Sequence, residues 1–73
     1  MANAWITGRA FIPTVGSEYE VTFGKIIYNG QTGYWTARIR ADGLQPSQWI
    51  DLDTGAQLDP ALAAYVVQAY REI

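Results

Sequence analysis

EYEVTFGKIIYNGQTGYWTARIRA, residues 18–41, is the stretch whose reading decides the fold. Tyr19, Val21 and Phe23 alternate with Glu18, Glu20 and Thr22, and Trp35, Ala37 and Ile39 alternate with Tyr34, Thr36, Arg38 and Arg40. Period-two alternation gives each segment one buried and one solvated face. Asn29-Gly30 lies between them, and this dipeptide is the strongest short hairpin signal. Strands over about 18–28 and 34–41 are therefore expected.

The pairing register follows from which faces must agree. A two-residue loop at Asn29-Gly30 pairs Tyr28 with Gln31, but sets Phe23 beside Thr36 and Val21 beside Arg38. A longer loop over residues 29–33 pairs Tyr28 with Tyr34, Phe23 with Ile39 and Ile27 with Trp35. A one-residue slip inverts a strand's faces, so the core-consistent register with the longer loop is the expectation. On the outer face it sets Ile26 across from Thr36 and Thr22 across from Arg40, with Glu20 diagonal to Arg40. Gly24-Lys25 blurs the apolar period and permits a bulge.

Outward from the hairpin, residues 4–12 read as a first strand, which Pro13 ends or places at an edge. Residues 13–17 form a loop. Asp42-Gly43 opens the next turn, and Gln48 to Leu52 form a short fourth strand closed by Asp53-Thr54-Gly55. The last segment changes period, because Leu62, Tyr65, Val66, Ala69 and Ile73 recur at helical spacing. Asp59 suits the N-cap and Pro60 the first helical position, predicting a helix over about 60–71, with Arg71 complementing its negative end. The expected fold class is α+β: one domain over 1–73, a four-stranded antiparallel β-meander with one C-terminal helix packed on one face (β-β-β-β-α). A small curled barrel capped by the helix is the alternative, since Gly8 and Gly24 permit tight bends.

Composition bounds the chemistry. A chain of 73 residues with no Cys and no His has no disulfide, no thiolate nucleophile and no imidazole base or ligand. Three Trp, five Tyr and two Phe supply a dense aromatic core, and homodimerisation is a second source of stability for so short a chain. A net charge of −2 disfavours a general electrostatic grip on nucleic acid. No apolar run approaches a membrane span, so a cytoplasmic, soluble protein without membrane partners is expected.

Two short stretches resemble catalytic motifs. Leu52-Asp53-Thr54-Gly55-Ala56 resembles the aspartic-protease signature, which would make Asp53 the catalytic carboxylate, sharing one proton with its counterpart in a homodimer. Too few residues follow Gly55 for the flap and later strands of that fold. Asp51-Leu52-Asp53-Thr54 is similar to the nucleophile loop of haloacid-dehalogenase-type phosphatases, which bind magnesium. That loop follows the first strand of a large parallel sheet, and here it lies near the C-terminus. Both stretches read more simply as a strand end and a turn. No enzyme, cofactor or metal site is expected.

The residues left for contact are Tyr28, Tyr34, Arg38 and Arg40 on the hairpin's solvated face, with Trp49, Asp51 and Asp53 nearby. Arg9, Trp5 and Phe11 could share that face. Tyr, Trp and Arg are the types enriched at protein-interface hot spots. Asp42, Asp51, Asp53 and Asp59 form an acidic group around the fourth strand that suits a basic partner surface or plain solubility. The expectation is a non-enzymatic protein-binding module, an accessory or inhibitor protein of the phage or mobile-element kind that occupies a partner surface. A single-stranded nucleic-acid-binding module on the aromatic and arginine face, and a structural subunit of a homo-oligomer, are the alternatives.

Overall fold

The computed structural model describes residues 3–73. Its strands are β1 (Ile6–Thr7), β2 (Glu18–Tyr28), β3 (Gln31–Ala41), β4 (Trp49–Asp51) and β5 (Ala69–Glu72), with a 3₁₀ turn at Pro46–Gln48 and helix α1 at Pro60–Ala63. They form one antiparallel sheet in the order β1-β5-β2-β3-β4. The fold is thus α+β with an open five-stranded sheet. It is neither a four-stranded meander nor a closed barrel, and its helix precedes the last strand.

The hairpin turns over two residues, and Tyr28 pairs with Gln31. Asn29 (φ 51°) and Gly30 (φ 75°) both occupy the left-handed region, as a type I′ turn requires. The expected longer loop is therefore not formed. The mixing of faces that argued against the tight turn is removed by a bulge. The register shifts between Thr22 and Gly24, so Phe23 has no partner, while Val21 meets Ala37 and Tyr19 meets Ile39. Gly24 takes φ +75° at this point, and its N–H is held by Thr22 Oγ1, which in turn donates to the Trp35 carbonyl. Local turn chemistry sets one half of the hairpin, and the bulge returns the other half to the core-facing phase.

The C-terminal helix is the larger correction. Asp59 caps α1 through a bond from the Ala61 N–H (2.9 Å) and Pro60 starts it, but the helix ends at Ala63. Residues 69–72 instead form β5, inserted between β1 and β2. A short isolated helix is marginal in water, whereas two open strand edges offer ladder bonds on both sides of one segment. Val66 and Val67, both β-branched, fit that outcome better than a helix. The first strand likewise shrinks to Ile6–Thr7, because Gly8 leaves it at φ +71°.

Tyr19, Val21, Phe23, Ile26, Ala37, Ile39, Ala41, Trp49, Leu58 and Leu62 make the core on one side of the sheet. Phe11 closes it with edge contacts to Tyr19 (5.0 Å) and Trp49 (5.2 Å) and a tilted contact to Tyr70 (4.6 Å). Each fully buried large side chain contributes roughly 1.5–3 kcal/mol. After the bulge Ile26 and Tyr28 face the core, while Ile27, expected inside, is 64% exposed. Trp35 is half-buried at the core margin against Tyr28 (5.0 Å, edge to face).

Candidate functional site

The outer face of the hairpin is built by cross-strand neighbours. Register sets Ile27 beside Thr32, Lys25 beside Tyr34, Thr22 beside Thr36, Glu20 beside Arg38 and Glu18 beside Arg40. Tyr34 is 79% exposed, and Ile27 is its diagonal neighbour on the same face. The result is an aromatic and aliphatic pair rimmed by Lys25 and Arg38. Tyr34, Arg38 and Arg40 therefore share one exposed face, as their alternation predicts.

Other expected members leave it. Tyr28 lies on the opposite face from Tyr34, packed on Trp35, and its hydroxyl donates to Asp59 Oδ2. Trp49 is 2% exposed and donates its indole N–H to the Gly43 carbonyl (3.2 Å), so it is a core residue and not a contact residue. Phe11 is likewise turned to the core. The two-residue turn and the bulge, together, moved Tyr28 inward; the alternation of the fourth strand placed Trp49 opposite Ala41 on the inner side.

Charges on and around the face are largely satisfied locally. Arg40 grips Asp42 with Nε (2.7 Å) and Nη2 (3.0 Å), so the expected Glu20–Arg40 diagonal is not formed. That grip holds the Asp42 carboxyl below the usual carboxylate range and raises the Arg40 guanidinium further. Glu20 is taken instead by Arg71, through Nε at 2.7 Å and Nη2 at 2.5 Å. The same guanidinium lies over the Trp5 ring, 4.6 Å from its centroid. Arg71 complements no helix end, because its segment is β5, and its pairing with Glu20 follows from β5 lying beside β2.

Asp53 approaches Arg38 at 3.9 Å between well-exposed side chains, a contact of little energetic weight. Asp51 Oδ1 accepts the Asp53 N–H (2.9 Å), Thr54 Oγ1 accepts the Ala56 N–H (3.2 Å) and the Gly55 N–H returns to the Asp51 carbonyl (2.8 Å). The Asp-Thr-Gly stretch is thus a tight, self-bonded turn. Asp59 serves as N-cap and as acceptor for Tyr28, which holds its carboxyl low and pushes the Tyr28 phenol up. The four acids are employed one by one and do not form a free acidic edge.

Two solvent-open clefts lie on the covered side of the sheet. One is bounded by Pro46, Gln57, Leu58, Pro60 and Ala63, the other by Phe11, Leu44, Trp49, Val66 and Val67, and neither lining contains a titratable side chain. Among the described residues no three acidic side chains gather closely enough to hold a metal ion, and no helix is long and apolar enough to cross a membrane. Fold and site together define a small α+β domain with one covered sheet face and one exposed face of aromatic, aliphatic and cationic side chains. Compared with protein-family models, with curated proteins and with solved structures, the chain matches none.

Proposed function

We propose that this protein is a non-catalytic protein-binding module whose contact surface is the outer face of β2 and β3. The observation that carries the reading is the pairing of Tyr34 and Ile27, 79% and 64% exposed, as diagonal neighbours on that face. Exposed apolar side chains are common singly; an adjacent aromatic and aliphatic pair rimmed by cations has the make-up of an interface centre. Arg38 adds a guanidinium held only loosely by Asp53, free to exchange that partner for a carboxylate on another protein.

Nucleic acid is a weaker fit to the same face. Arg40 is held by Asp42, Glu18 and Glu20 share the face, and the chain carries net charge −2. The test is capture from lysate with the wild type and with Tyr34→Ala/Arg38→Ala. The double variant should keep the wild-type far-UV spectrum and thermal transition but lose the captured protein. Capture that survives both substitutions overturns this assignment of the face. Salt-sensitive quenching of tryptophan fluorescence by an oligonucleotide would replace the protein partner with a nucleic acid.

A further inference from the structure

The backbone edge of β3 carries an inference separate from the side chains of its outer face. In a two-residue hairpin the residues flanking the turn exchange both backbone bonds, so Gln31, Gly33 and Trp35 point their N–H and C=O groups at β2. Thr32, Tyr34 and Thr36 then point theirs away. On that side β4 pairs only with Ile39–Ala41, and one further bond runs from the Leu52 N–H to the Arg38 carbonyl (2.8 Å). Among the described residues no strand is in register with Gln31–Ala37 on that side. The other long strand is treated differently: β5 covers Tyr19–Thr22 of β2, the Gln68 N–H bonds to the Thr22 carbonyl, and the Tyr65 hydroxyl bonds to the Ile27 carbonyl.

Soluble proteins usually protect such an edge with a charge, a proline, a bulge or a covering segment. The span QTGYWTA, residues 31–37, has no charge and no proline, and the bulge lies on β2. It is also complementary to itself. Because β4 blocks the edge from Arg38 onward, the free segment is centred on Tyr34. An antiparallel copy laid along it pairs Tyr34 with Tyr34, Thr32 with Thr36, and Gly33 with Trp35. The largest side chain of the span thus meets the smallest, and threonines meet threonines. Nothing lies within 4 Å of where a Cβ on Gly33 would be, so that position is open to an incoming indole. Arg38 in each copy falls opposite Gly30, which keeps the two Arg38 side chains about 26 Å apart by strand rise, well beyond screening range.

We propose that the protein forms a two-fold homodimer by antiparallel β3–β3 pairing about Tyr34, joining two sheets into one continuous sheet. Thr32, Tyr34 and Thr36 of each copy exchange about six backbone hydrogen bonds. The outer faces of both copies then lie on the same side, so Ile27 and Tyr34 of each contribute to one doubled surface.

Sedimentation measured from low micromolar to near-millimolar protein tests this. The wild type should move with concentration from the 8.1 kDa of one chain towards twice that mass. Thr32→Lys/Thr36→Lys sets lysine against lysine at both pairs and should raise the dissociation constant by about tenfold or more. Thr32→Lys/Thr36→Glu sets lysine against glutamate at both pairs in this register alone, and should dimerise at least as well as the wild type. Both variants place their substitutions on exposed positions, and retained thermal transitions verify the folded monomer. A wild type that stays monomeric throughout, or a double-lysine variant that dimerises unchanged, overturns the proposal; the monomeric result would leave the edge to an extended segment of another protein. Tyr34 and Arg38 are intact in both variants, so loss of the dimer and loss of the captured partner are read separately.

Discussion

Gly24→Ala attacks the feature that reconciles the two halves of the hairpin. Gly24 sits at φ +75°, where a residue with a Cβ costs roughly 1–2 kcal/mol. The new Cβ would lie 3.1 Å from Gln68 Cγ. The Gln68 side chain must give by a few tenths of an ångström, while its backbone N–H stays bonded to the Thr22 carbonyl at 2.8 Å. Against these costs, alanine restricts the unfolded chain and returns about 0.4–1 kcal/mol. The net expectation is a loss of about 1–2 kcal/mol, or roughly 5–15 °C in Tm for a domain of this size. Gly33→Ala is the internal control, because Gly33 has ordinary φ and nothing within 4 Å of the added methyl. It should change stability by less than about 0.5 kcal/mol, or increase it. Urea unfolding followed by tryptophan fluorescence at low micromolar protein gives both values. Equal stability of Gly24→Ala and wild type would refute the claim that the bulge is what lets the Asn29-Gly30 turn and the Tyr19–Ile39 pairing coexist.

Two tryptophans on the covered side should respond differently to the same truncation. Trp49→Phe removes a bond to the Gly43 carbonyl and leaves that acceptor and a void in the centre of the core, costing about 2–3 kcal/mol in urea unfolding. Trp35→Phe removes a buried Nε1 with no hydrogen-bond partner among the described residues, and should stay within about 1 kcal/mol of wild type. Leu58→Ala, at 1% exposure, should cost about 2–5 kcal/mol by the same measurement. Stability should also fall at both ends of the pH range. The lowered Asp42 and Asp59 carboxyls stabilise the fold above the ordinary carboxylate pKa of about 4, and that stabilisation is lost as pH falls below it and through their lowered values. The raised Tyr28 phenol stabilises below the ordinary tyrosine value of about 10, and that stabilisation is lost as pH rises through its raised value. Asp59→Asn should flatten both limbs in denaturant midpoints measured against pH; an unchanged alkaline limb would sever the link between Asp59 and Tyr28.

Several elements were legible in the chain because their causes are local. Alternation places Tyr19, Val21 and Phe23 on the inner face, and Tyr34, Arg38 and Arg40 on the outer. Asp59-Pro60 marks the start of a helix whatever follows it. Asn29-Gly30 signals a tight turn, and the bulge at Gly24 is announced by the glycine and the broken apolar period. With a uniform register only the longer loop aligns Phe23 with Ile39 and Ile27 with Trp35; the bulge lets the tight turn reach a core-facing register by another route, with Ile26 inside in place of Ile27.

What lay beyond the sequence depends on neighbours distant along the chain. Leu62, Tyr65, Val66 and Ala69 have helical spacing, yet Ala69–Glu72 gains more from two ladders than from a helix, because β1 and β2 present edges to it. Arg71 therefore meets Glu20 and Trp5, contacts that no local pattern encodes. Tyr28 faces inward because a bulge four residues earlier turned its strand over, and Trp49 because β4 lies beside Ala41. The sequence by itself determined the two long hairpin strands, the start of the helix at Asp59-Pro60 and the exposure of Tyr34, since each follows from side-chain period and backbone preference within a few residues. Tertiary structure alone decided the strand order, the fate of the last segment and the open β3 edge, because backbone hydrogen bonds are completed wherever a partner edge stands free.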